Sequence, residues 1–149
     1  MNKYSLLVIV VFILSAGVLW FLQLKVEKVT LLLNNQQTID VTVAKTARQL
    51  YKGLGQKKEI TNDGMLFVFG TSQKHGIVMR DMQFNLDIVW IDKGIVVDIA
   101  SNVQIEPDVK ERDLKKYFPR LPANLVLELP EGKAKEFGIE IGSTVGLEK

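Results

Sequence analysis

Residues 86–100 read Leu86-Asp87-Ile88-Val89-Trp90-Ile91-Asp92-Lys93-Gly94-Ile95-Val96-Val97-Asp98-Ile99-Ala100. Two runs rich in β-branched and aromatic residues flank a turn signal, so Leu86 to Ile91 and Ile95 to Ile99 are expected as paired strands. Asp92-Lys93-Gly94 is the expected three-residue hairpin loop, with Gly94 free to take a positive φ. Side chains alternate along a strand, which puts Leu86, Ile88 and Trp90 on one face and Asp87, Val89 and Ile91 on the other. This hairpin is the centre of the domain.

Strand and turn signals continue outward on both sides. Upstream, Val29 to Leu33 and Thr38 to Val43 are β-rich and joined by Asn34-Asn35-Gln36-Gln37, a plausible hairpin. Thr46-Ala47-Arg48-Gln49 has the form of a capping box, in which the Thr hydroxyl and the Gln side chain exchange bonds with free backbone N–H groups. Gly53 or Gly55 would end that short helix. Gly64 to Gly70 encloses a five-residue apolar run, read as a strand buried on both faces. Downstream, residues 104–123 carry charge and Pro107, Pro119 and Pro122, and predict a surface excursion with one short helix near Val109 to Tyr117. Leu125 to Leu129 is another strand. Pro130 to Phe137 predicts a short helix stopped by Gly138, and Ser143 to Leu147 a last strand. The expected fold is therefore α+β, a mainly antiparallel, curled or barrel-like sheet with two or three short helices. It occupies residues 29–149 as one soluble domain, with no internal repeat.

A different segment precedes it. Residues 5–24, SLLVIVVFILSAGVLWFLQL, lie between Lys3 and Lys25 without a charge, and 16 of the 20 are apolar. At about 1.5 Å per residue such a helix is roughly 30 Å long, the thickness of a bilayer's hydrocarbon core. Trp20 and Phe21 stand where an interfacial aromatic belt would begin. Residues 1–28 are accordingly expected to be one N-terminal transmembrane helix and its juxtamembrane link, with the lipid bilayer as partner through residues 5–24. The alternative is a cleavable signal peptide cut near Ser15-Ala16-Gly17. Cleavage there would leave Val18 to Leu22 as an exposed apolar terminus, which favours an uncleaved signal anchor. Lys25 and Lys28 after the span count toward a cytoplasmic domain. Long domains translocate largely regardless of charge, however, and the layout is that of a single-pass cell-membrane protein with an extracytoplasmic domain.

Composition narrows the chemistry. Of 19 basic and 17 acidic residues, Lys3, Lys25, Lys28 and Glu27 lie before residue 29, leaving 16 of each in the domain. A net charge of zero argues against nucleic acid as a partner. With no cysteine there is no disulfide, thiolate nucleophile, lipidated cysteine or cysteine-ligated metal. No cofactor fingerprint is present: the chain has no phosphate-binding loop, dinucleotide glycine pattern or Gly-x-Ser-x-Gly elbow.

Three segments in order carry a resemblance. They are Gly53-Leu54 followed by Gly64 to Phe69; Val78-Met79-Arg80 leading to Leu86 to Asp92; and Leu125 to Gly132 leading to Gly138-Ile139 and Gly142. Together they resemble the domain of unknown function 192 family (DUF 192), small secreted or membrane-anchored proteins of bacteria and archaea, over roughly residues 38–148. The resemblance implies fold and localisation, and no established activity. The family's aromatic before the Met is Val78 in this chain, its Asn after the basic residue is Asp81, and its Pro before Leu-Asp is Asn85. A family site at that turn would be altered here.

The candidate site residues follow from polar groups in apolar company. Asp87 stands among β-branched residues, where a carboxylate is either paired or protonated because an isolated buried charge is too costly. One reading joins Asp87, Asp81 and His75, the sole histidine, as an acid/base or metal cluster. The other makes Asp87 an acceptor for Arg80 or for turn N–H groups ahead of its strand, and is favoured because nothing supplies a nucleophile or second fixed ligand. No metal site is assigned. Glu128, on an apolar strand, admits the same two readings. Arg80, Glu128 and Tyr117 are candidate binding residues, Tyr117 with Phe118 and Pro119 as a contact patch or as plain packing. Met65, Met79 and Met82 read as core filling. The functional expectation is a membrane-anchored, non-enzymatic binding or accessory module with an unidentified protein or small-molecule partner. The rival is a small hydrolase or metal-dependent enzyme built on the carboxylate and histidine residues.

Overall fold

The structure is a computed structural model that describes residues 2–23, 27–34 and 36–148, and within residues 3–23 the side chains at 4–15 and 17. In chain order the elements are α1 (Lys3–Gln23), β1 (Glu27–Leu33), β2 (Gln37–Ala44), α2 (Ala47–Lys52), β3 (Gly64–Gln73), β4 (Leu86–Asp92), β5 (Ile95–Val103), a 3-10 turn at Glu111–Asp113, β6 (Ala123–Pro130), α3 (Lys133–Glu136) and β7 (Val145–Leu147).

The strands form one seven-stranded sheet in the order β5-β4-β6-β3-β2-β1-β7. Five of its neighbour pairs are antiparallel, but β2 and β3 run parallel, so the sheet is mixed. The physical reason is the connection. Residues 45–63, with α2 inside them, cross over and bring β3 back in the direction of β2, which a tight hairpin cannot do. The sheet also curls. Its end strands meet where Ile95 bridges Thr144, just before β7, and Val96 N–H donates to the Ser143 carbonyl at 2.9 Å.

Curling divides the core. One buried cluster takes residues from all seven strands, including Leu31, Val41, Leu66, Val89, Val96, Leu127 and Val145, and lies inside the curl. The other, with Met65, Phe67, Met79, Met82, Ile88, Trp90 and Val126, lies on the outer face. It is roofed by the segments around Leu54, Ile77 and Tyr117. The alternation read along Leu86 to Ile91 therefore holds, one face of β4 per cluster. The methionines fill the outer core.

Local signals fare unevenly. The capping box forms, with Gln49 N–H on the Thr46 hydroxyl at 3.3 Å and Thr46 N–H on the Gln49 side chain at 3.0 Å, and Gly53 ends α2. The hairpin loop is shorter than expected. Asp92 pairs with Ile95, and Lys93 and Gly94 both take positive φ, 49° and 78°, the requirement of a two-residue type I′ turn. Asn35 of the first hairpin loop lies outside the described residues. The helix expected near Val109 to Tyr117 reduces to the 3-10 turn, because Tyr117 exchanges backbone hydrogen bonds with Ile77 and is extended there. The helix expected from Pro130 begins only at Lys133, since Pro130 still pairs with Leu86 in the sheet and Gly132 is left-handed at φ 83°. Gly138 ends it, with Ile139 N–H closing on the Ala134 carbonyl at 2.8 Å.

One buried carboxylate holds the 104–123 excursion down. Asp98 on β5 accepts from Arg120 Nε, Nη2 and backbone N–H at 3.0, 2.8 and 2.6 Å, and from Ile99 N–H at 3.0 Å. Burial alone would push its carboxyl up. The Arg120 side-chain and backbone hydrogen bonds, the Ile99 N–H and the Arg120 charge outweigh that and hold it below the ordinary carboxylate range.

The segment expected to cross a membrane is helical as α1, with Leu6 to Leu14 exposed. Among the described residues, however, no helix is long and apolar enough to cross a membrane. The expected transmembrane helix is therefore not found among the described residues. Leu24, Lys25, Val26 and the side chains of Trp20 and Phe21 lie outside the described residues.

Candidate functional site

Strand β6 sends Leu127 and Leu129 into the curl, so alternation sends Val126 and Glu128 to the outer face. Glu128 stands opposite Met65 on β3 and Ile88 on β4, both apolar and buried. It is 5% exposed. Among the described residues nothing donates to its carboxylate or pairs its charge, and burial alone pushes its carboxyl up to about 8. A carboxyl with that value is mostly protonated at neutral pH.

This carboxyl lines a cavity of about 230 Å³ between the sheet and the segments 50–55 and 76–82. Two glycines shape it. Gly64 approaches the backbone of Glu128 so closely that a Cβ there would stand 2.4 Å from the Glu128 carbonyl oxygen, which seats β3 tightly against the strand bearing the carboxylate. Gly53, at φ 50°, lets the Phe67 ring come close: a Cβ there would stand 3.1 Å from Phe67 Cζ and 3.9 Å from Glu128 Oε2. The remaining wall is largely apolar, including Leu50, Leu54, Ile77 and Met82.

Arg80 lines the same cavity but is already engaged. Its Nε and Nη2 donate to Glu111 Oε1 at 3.1 and 2.6 Å, its Nη1 donates to the Tyr51 carbonyl at 2.7 Å, and its guanidinium stacks 3.9 Å over the Tyr51 ring. The Tyr51 hydroxyl donates to Glu111 Oε2 at 3.0 Å. The Tyr51 and Arg80 hydrogen bonds hold the exposed Glu111 carboxyl below its ordinary value. Beyond Arg80 a wider groove of about 720 Å³ opens, lined by Asp81, Glu106 and Glu111 among others.

The other candidates do not converge. Asp87, 2% exposed, accepts from Asn102 N–H at 2.9 Å and from Ala134 N–H, in the first turn of α3, at 3.0 Å. Its partners are thus backbone groups of β5 and α3, in place of Arg80 or the turn ahead of its strand. Asp81, at φ 53°, accepts from Gln56 Nε2 at 3.3 Å. His75 lies flat on Phe69, ring centroids 3.8 Å apart, with Nε2 against the Thr71 carbonyl at 2.8 Å. No hydrogen bond or ion pair joins any two of Asp81, Asp87 and His75, and among the described residues no three metal-ligating side chains gather. Tyr117 is half-buried against the outer core under the Lys115 ammonium, while Phe118 is exposed and covers Gly76.

Glu128 and Arg80 are thus the two sequence candidates that share a site. Gly53, Phe67, Tyr51 and Glu111 complete it; the sequence marked Gly53 only as a helix stop and, with Phe67, as part of the family resemblance. Phe67 reads as core, and Glu111 sits in a charged surface run. Asp98 did carry the signal that exposed Glu128: a lone carboxylate inside an apolar strand.

The fold has solved counterparts. A protein of unknown function from Novosphingobium aromaticivorans is 25% identical, with a TM-score of 0.67 over 81% of this chain and 84% of its own. A protein from Sinorhizobium meliloti, described as a candidate transcription regulator, is also 25% identical, with a TM-score of 0.69 over 83% of this chain and 94% of its own. No curated protein matches the chain. The profile of one family, described as an uncharacterized ACR, matches residues 29–147, almost all of the sheet and its connections, and on that match the chain belongs to the DUF192 family.

Proposed function

We propose that the chain is a binding module whose small-molecule ligand occupies the cavity above Glu128, and that α1 tethers this module to a membrane with the β-rich body on the extracytoplasmic side. The observation that carries the binding reading is the carboxyl itself. Buried polar groups in folded proteins nearly always have partners, and Glu128 has none among the described residues while lining an open cavity. A group left bare at such a cost is the mark of a site completed by something else. Titrating the full chain in detergent micelles with a fragment library, and following backbone amides by NMR, tests this. Fragments that bind are expected to shift Gly53, Gly55 and Gly76 together. A library that moves none of these amides overturns the reading.

Support for the tether comes from the uncharged run 5–24 and the helical backbone over Lys3–Gln23. A reporter enzyme active only in the cytoplasm, fused after Lys149, is expected to be inactive. Activity there would refute the extracytoplasmic placement.

The enzyme reading has less behind it, because Asp81, Asp87 and His75 are occupied separately. The regulatory role ascribed to the Sinorhizobium protein is not carried over. Sixteen basic residues balanced by sixteen acidic ones after residue 28 offer no electrostatic surplus for nucleic acid.

A further inference from the structure

Every other strongly buried carboxylate in this fold has found its donors: Asp87 two backbone N–H groups, Asp98 a guanidinium and two N–H groups. Among carboxylates this buried Glu128 alone lacks a donor (half-buried Glu106 keeps Oε1 unpartnered while its Oε2 accepts from Lys115 N–H), and the cavity around Glu128 says what is missing. Of the two cationic side chains lining the cavity, Lys52 is exposed at the rim and Arg80 is neutralised by Glu111. The protein therefore places a carboxylate inside and commits its nearby guanidinium to a different carboxylate outside. An ionised Glu128 would therefore take its counter-charge from outside the protein.

We infer that the cavity takes a small organic cation through its primary ammonium group, with Glu128 as counter-ion, the Phe67 ring beside it and the apolar wall around its alkyl body. The inference rests on the reading of this cavity as the ligand site, and adds the ligand's chemical class. Gly53, Phe67 and Glu128 line the cavity together, and a Cβ on Gly53 would stand 3.1 Å from Phe67 Cζ and 3.9 Å from Glu128 Oε2, so ring and carboxylate border the same corner of it beside Gly53. An ammonium at that corner meets a carboxylate and an aromatic ring at once, the two groups that attract a cation in a desolvated place. It also brings three donors to a carboxylate that has none among the described residues.

The competing chemistries fit less well. A ligand carboxylate would face Glu128 as a like charge or as an acid competing for one proton. A hydroxyl offers a single donor and no charge, so it leaves Glu128 neutral and gains little from the poorly screened interior. An ammonium converts Glu128 to its ionised form and displaces the proton that burial holds on it.

That displaced proton makes the test specific. The full chain in detergent micelles is titrated with n-butylammonium, n-butanol and butyrate at pH 7 in buffers of different ionisation enthalpy, with calorimetry reporting proton release and NMR the cavity amides. The expected result is that butylammonium binds at the Gly53 corner, releases about one proton per ligand and weakens at least tenfold in Glu128→Gln. Because the release is read on the unaltered protein, the outcome does not depend on the variant folding. Preference for butanol or butyrate, or butylammonium binding without proton release, overturns the cation while leaving the cavity a binding site. If none of the three probes moves the cavity amides, the inference fails too, and the fragment titration alone then decides whether the cavity binds anything.

Discussion

Glu128→Gln is expected to abolish a steep loss of stability between pH 4.5 and 8. The sign follows from linkage. Burial raises the folded carboxyl from its ordinary 4.5 to about 8, so in that interval the folded state keeps a proton that the unfolded state has lost. Stability tied to that proton is fully present below pH 4.5 and falls as the pH rises toward 8. Each pKa unit corresponds to about 1.4 kcal/mol, so the unaltered chain should lose about 4 kcal/mol relative to the variant across the window. The amide of the variant cannot ionise, and nothing else in the site changes between the two proteins. Urea denaturation followed by β-sheet circular dichroism at half-unit pH intervals measures the difference directly, and the common titration of other groups cancels. Parallel curves for the two proteins would mean that Glu128 is solvated or paired in solution, and would remove the basis of the proposed site.

Asp87→Ala is expected to cost about 3 kcal/mol. The side chain accepts from Asn102 N–H and from Ala134 N–H, and so ties β4 to β5 and caps the first turn of α3. Removing it leaves two backbone donors in a place where Asp87 itself is 2% exposed, and an unsatisfied buried donor costs roughly 1–3 kcal/mol. Asp87→Asn keeps one acceptor but turns an amide N–H₂ toward a second donor, so it should recover only part of the loss. Urea midpoints at pH 7 for the three proteins check the order. A melting transition unchanged in Asp87→Asn would contradict the structural role, and would return Asp87 to the list of groups free to act on a ligand.

These two carboxylates show how far the sequence could be read. Each was marked by the same sign, a charge inside an apolar strand, and the rule that such a group must be paired or protonated applied to both. What differs is the outcome: Asp87 is capped by backbone groups 15 and 47 residues away, and Glu128 by nothing among the described residues. No pattern within a few residues separates the two cases. Arg80 is similar, for its guanidinium was one of two partners offered for Asp87 and instead holds Glu111, 31 residues on, in a stretch that read as a charged surface excursion. Signals confined to one turn of chain did better. The Thr46 capping box and the Gly138 stop form as written because all their partners lie within five residues. Even there, neighbours can intervene, as when the pairing of Tyr117 with Ile77 prevents a helix through Val109 to Tyr117.

By itself the sequence determined the strands, the faces of β4, the family and the uncharged run before the domain, since periodicity and composition are properties of contiguous residues. The parallel pairing of β2 with β3, the closure of β5 on the β7 end and the choice of which carboxylate stays bare were decided by tertiary structure alone. Those are contacts between segments far apart in the chain, selected by how the whole sheet packs and not by any local preference.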